Sequence, residues 1–140
     1  MTITAIPQLA FTTNAKEAMT YYATILGGEV SFTYLKDLDP TSAAPDLVAH
    51  AVLTSECGVT IYASDDCMTG GSDENIGSSR TDVALVSDDH GSVDHLTGVI
   101  EAIAAEGTMV CPVSVQPWGD LFGCATDKYG NTWMVNLPAS

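Results

Sequence analysis

Two stretches of this chain repeat one another. Residues 51–64, AVLTSECGVTIYAS, align without a gap on residues 123–136, GCATDKYGNTWMVN, so that Thr54 falls on Thr126, Gly58 on Gly130 and Thr60 on Thr132. Each copy alternates small and large side chains about a turn, and each turn holds a glycine that can take the positive φ of a tight hairpin. A hairpin used twice points to a chain assembled from one unit used twice.

The flanks agree. Residues 6–13 are mostly apolar or β-branched and read as a strand ending at Asn14, which is placed to cap a helix, with Glu17 three residues on as in a capping box. Ala18, Tyr22, Ile25 and Leu26 recur at helical spacing until Gly27 and Gly28 stop the helix, and a second strand covers 29–35. From Asp82 the order recurs. Residues 83–86 read as a strand, acidic residues and Ser92 offer caps, and Leu96, Val99, Ile100 and Ile103 form an apolar stripe closed by Gly107. Residues 108–115 then make a strand whose Pro112 requires an edge or a bulge. The reading is an α+β chain of two β-α-β-β-β modules in a single domain over 1–140. Module one covers about 1–65, an inter-module loop about 66–80 and module two about 81–140. A second loop, 36–46, holds Pro40 and Pro45; each loop serves as a connection or as a lid.

A chain of 140 residues, 46% hydrophobic and 16% charged, has the length and balance of one globular domain. Eighteen acidic residues against four basic ones give a formal charge of -14, which repels phosphate backbones and anionic bilayers. Nucleic acid and membrane are therefore excluded as partners. The N-terminus lacks the basic and apolar regions of a signal peptide, and no apolar run approaches membrane-spanning length, so a cytoplasmic protein is expected. Cys57, Cys67, Cys111 and Cys124 are widely spaced with no C-x-x-C pair and read as reduced structural thiols. No histidine stands at a recognisable spacing to activate Cys57 or Cys124 as a nucleophile.

Paired modules of this kind resemble the vicinal oxygen chelate fold of the glyoxalase/bleomycin resistance protein/dioxygenase superfamily. Seven segments resemble its PhnB-like branch more closely: NAKEA (14–18) with Tyr22 and GGEV (27–30), ASD (63–65), WG (118–119) with LFG (121–123), TDKYG (126–130) and WMVN (133–136). The resemblance spans nearly the whole chain. It implies a cupped mixed sheet around a cavity, a small molecule as ligand, and a homodimer. Members of this branch often carry a demethylubiquinone methyltransferase label, but the glycine-rich strand-to-helix turn and following acidic residue that S-adenosylmethionine requires are not visible here.

In metal-using relatives a divalent ion is held by His or Glu from the first and last strands of each module. Counted back from Asn14, the first-strand position falls on Pro7; in the second module it falls on Thr81, or on Asp82 if the register slips by one. The closing strands offer Tyr62 and Met134, poor ligands for a hard or borderline divalent ion. No metal and no cofactor are expected. What remains in the implied cup is an apolar lining with a few polar handles: Tyr62, Met134, Thr60 and Thr132, with His50 and Phe122 on neighbouring strands and Trp118 at a strand entrance. Core packing explains Met134 equally well and Thr60 better. The ligand-pocket candidates are His50, Tyr62, Trp118, Phe122 and Met134. His50, the one histidine inside an expected strand, serves either as an acid or base or as a satisfied hydrogen-bonding group. Trp133 is expected to pack under a helix, and Asp65 and Asp127 to stabilise turns.

The function expected is that of a PhnB-like, metal-less protein binding an unidentified small molecule in a cupped cavity, with no catalytic residue assigned. One alternative is a divalent-metal lyase or dioxygenase whose ligands have moved to His50, Asp82 or a partner chain. The other is a resistance protein that sequesters a drug-like cation without turnover.

Overall fold

The computed structural model describes residues 1–66 and 81–138, so nearly all of the expected inter-module loop, with Cys67, lies outside the described residues. The chain divides into two compact units, Met1–Ser79 and Arg80–Ser140.

The first unit runs β1 (Gln8–Ala10), α1 (Ala15–Leu26), β2 (Glu29–Tyr34), a single helical turn α2 (Leu35–Leu38), β3 (Val48–Thr54) and β4 (Thr60–Ser64). Its sheet has the order β1-β4-β3-β2, with β1 parallel to β4 and the other pairs antiparallel. The second unit runs β5 (Asp82–Val86), a 3-10 turn (His90–Ser92), α3 (Val93–Glu106), β6 (Thr108–Val115), β7 (Leu121–Thr126) and β8 (Thr132–Leu137). Its order is β5-β8-β7-β6, again with the first strand parallel to the last. The β-α-β-β-β repeat is thus a repeat of topology, and the class is α+β with two four-stranded mixed sheets.

Each helix packs its apolar stripe on its own sheet. Leu96, Val99, Ile100 and Ile103 are the buried residues of α3. In α1, Ala18, Tyr22 and Leu26 are buried with Ala15 and Met19, while Ile25 is half-buried. Opposite them, alternate strand residues close the cores: Leu9, Ala51, Leu53, Ile61 and Ala63 in one unit, Val83, Leu85, Ala125, Trp133, Val135 and Leu137 in the other. The turn glycines Gly58 and Gly130 take nearly equal φ values of 92° and 91°. A second equivalence went unread in the sequence: a Cβ on Gly28 or on Gly107 would collide with the backbone carbonyl of Thr54 or Thr126, residues that the repeat aligns.

Local signals fail at the helix starts. Asn14 makes no side-chain cap bond. Instead the buried carboxylate of Asp65 accepts the Ala15 N–H on Oδ1 and the Val48 N–H on Oδ2, both at 2.9 Å. Ser92 likewise caps nothing; its hydroxyl lies 2.9 Å from that of Ser87, and Asp89 Oδ1 accepts the Gly91 N–H at 2.9 Å. Strand β1 is shorter than the expected 6–13, and the loop over 36–46 begins with the last residues of α2. Pro112 lies on the edge strand β6, where the pairing register also shifts.

Candidate functional site

Because strand side chains alternate, each sheet has a second face, turned away from its helix. On the first sheet, pairing aligns Gln8, Tyr62, Val52 and Ser31 in one row; next to it, Ala10 faces Ser64 and His50 faces Thr33. On the second, the corresponding rows are Ala84, Met134, Cys124 and Cys111, then Val86, Asn136, Phe122 and Ser114. Tyr62 and Met134 therefore hold equivalent places, as do His50 and Phe122.

Within the first unit the exposed His50 ring meets the Tyr62 ring edge to face, with centroids 4.7 Å apart and planes at 76°. Gln8 Nε2 donates to Ser64 Oγ at 3.2 Å beside them. Within the second unit Trp118, in the β6–β7 connection and 62% exposed, meets Phe122 at 6.1 Å and 67°. Asn136 Oδ1 is buried without a hydrogen-bond partner among the described residues. Asn136 also lines an open cavity of about 280 Å³, with Val86, Asp88, Asp120 and Pro138 among its walls. A buried acceptor left unpaired is costly.

The positions tested for metal ligation need correction. Pro7 precedes β1 and contributes its carbonyl to the Tyr62 N–H at 2.9 Å; the side chain beside Tyr62 is that of Gln8. Thr81 precedes β5 and accepts the Thr132 N–H on its carbonyl, Asp82 pairs with Thr132, and the residue beside Met134 is Ala84. First-strand and last-strand partners are thus Gln8 with Tyr62 and Ala84 with Met134. A neutral amide, a phenol, a methyl and a thioether do not fit the divalent ion that the fold family implies. Among the described residues no three His, Cys, Asp or Glu side chains are grouped to hold a metal.

Trp133 is fully buried and its Nε1 donates to Asp127 Oδ2 at 2.8 Å, while Asp127 Oδ1 accepts the Tyr129 and Asn131 N–H groups across the turn. Of the residues that sequence reading missed, Ser64 and Asn136 lie two places beyond Tyr62 and Met134, so alternation alone could have found them. Gln8 could not be found that way, because a parallel register has no local signal.

No family profile matches the chain. "Protein YjdN" of Escherichia coli (strain K12) is 29% identical over 148 residues, covering 94% of this chain and 92% of that protein. Among solved structures, protein PA1353 from Pseudomonas aeruginosa superposes with a TM-score of 0.76 at 26% identity, covering 98% of each chain. The PhnB protein from Bacillus cereus, described as a candidate 3-demethylubiquinone-9 3-methyltransferase, gives 0.66 at 22% identity over 96% of this chain and 99% of that one. A glyoxalase/bleomycin resistance protein/dioxygenase superfamily member from Sphaerobacter thermophilus gives 0.59 at 15% identity over 98% and 99%. The likeness to a PhnB protein accompanies the PhnB-like motifs of the sequence, and this chain has the fold seen in a glyoxalase/bleomycin resistance protein/dioxygenase superfamily member.

Proposed function

We propose that this is a PhnB-like protein that binds a small, partly apolar molecule on the helix-free sheet faces, without a divalent metal ion, as a cytoplasmic homodimer. The observation that carries the reading is the equivalence of Tyr62 with Met134, which sets a phenol and a thioether where metal-using relatives need ligands, with His50 and Phe122 equivalent on the neighbouring strands. Ring faces and edges supply apolar contact, and on the first sheet His50 and Ser64 supply directional bonds to orient a ligand. No helix of the described residues is long and apolar enough to cross a membrane. A binding role needs no catalytic residue, and none is assigned.

A thermal-shift screen of small aromatic and heteroaromatic metabolites tests the proposal on protein whose sedimentation is recorded in parallel. A ligand at about 100 times its Kd adds roughly 2.7 kcal/mol of stability. Hits should lose their shift in Tyr62→Ala or Phe122→Ala, and the protein should sediment as a dimer. Hits indifferent to both substitutions would place binding elsewhere and refute the proposed surface.

A further inference from the structure

The second sheet carries a line of sulfur, of which only Met134 belongs to the proposed ligand surface. Cys124 on β7 stands directly opposite Cys111 on β6 and, on its other side, opposite Met134 on β8. Simple alternation would not put Cys111 there. The register shifts between Met109 and Cys111, Val110 is left 59% exposed, and the shift brings Cys111 onto the row that holds Cys124. Directly opposed residues of an antiparallel pair have Cβ atoms about 4.5–5.5 Å apart. Two thiolates, each about 2.3 Å from a shared ion, span that separation.

The surroundings favour a cation. Cys124 is 8% exposed, whereas Cys111 is half-buried, its thiol turned weakly to the Pro112 carbonyl at 3.7 Å. The Asp82 carboxylate stands near enough to act on the Cys124 thiol and adds negative charge beside the sulfurs, which attracts a cation. Two thiolates and a thioether form a soft donor set, well matched to a monovalent d10 ion and poorly matched to a hard divalent one.

We propose that Cys111, Cys124 and Met134 form a binding site for a soft, thiophilic ion of the copper(I) class, with the two thiolates bridging the ion and the Met134 thioether as third donor. Uptake releases the two thiol protons to solvent, and copper enters and remains as copper(I), so no electron is transferred.

The test is an anaerobic titration of the reduced full chain, carrying Cys57→Ser and Cys67→Ser, with copper(I) in competition with a chromophoric copper(I) chelator. The expected result is stoichiometric withdrawal of copper from the chelator with a thiolate-to-copper ultraviolet band. Uptake should be lost on adding Cys111→Ser or Cys124→Ser and weakened by Met134→Leu. Failure of the reduced chain to withdraw copper, or uptake unchanged in Cys111→Ser, overturns the site. X-ray absorption of the loaded chain needs no further variant: a sulfur-only first shell supports the assignment, and a nitrogen or oxygen shell overturns it.

Discussion

Asp65 holds the N–H of Ala15 on one carboxylate oxygen and that of Val48 on the other, so a single buried side chain ties the start of α1 to the start of β3. Its substitution by alanine leaves two donors buried and unpaired at about 1–3 kcal/mol each, a loss of roughly 2–6 kcal/mol. The denaturant midpoint of Asp65→Ala should fall accordingly with an unchanged slope, and Asp65→Asn, which keeps one acceptor oxygen, should fall between. Nothing near the helix start points to this residue. Asn14 and Glu17 have the local chemistry of a cap, but Asp65 lies 50 positions further along the chain, and a pairing of that kind is visible only once the fold is known. A second residue-scale prediction concerns Cys124, whose thiol is raised by burial first and by Cys111 and Asp82 next. The thiolate is the reactive form, so at mildly alkaline pH iodoacetamide should modify the exposed Cys57 before Cys124, as mass spectrometry of the alkylated peptides would show. The sign of the stability effect follows. Below the ordinary cysteine range both states keep the proton and nothing changes; above it the unfolded chain ionises first, and the contribution of Cys124 to stability falls as pH rises.

Strands and helices were legible where their signal is periodic and local. The α3 stripe Leu96, Val99, Ile100 and Ile103 is the set that is buried, and the hairpin repeat put Tyr62 level with Met134, as strand pairing does. Registers between distant strands were not legible: β1 against β4 moved the position beside Tyr62 from Pro7 to Gln8, and the irregular pairing of β6 moved Cys111 opposite Cys124. Close approach between elements is equally silent. Gly107 lets β6 leave α3 against the Thr126 carbonyl, so Gly107→Ala forces backbone to move and should cost about 1–3 kcal/mol. Gly98, inside α3, has nothing within 4 Å of a Cβ position. There the same substitution should stabilise by up to about 1 kcal/mol through helix propensity alone. Thermal unfolding of the two variants checks the opposite signs.

For the molecule as a whole, a formal charge of -14 narrowed the range of partners without naming one. The two like units carry the argument further. They share the fold of a glyoxalase/bleomycin resistance protein/dioxygenase superfamily member, and where the resemblance implies a divalent ion, the first and last strands present Gln8 with Tyr62 in one unit and Ala84 with Met134 in the other. Fold and chemistry separate at these four positions, and the proposed function rests on that separation. Elemental analysis of tag-free protein purified without chelator tests it most directly. The account predicts zinc, nickel, iron and manganese far below one ion per chain; near-stoichiometric content of any of them would contradict it and make metal-assisted chemistry the better description.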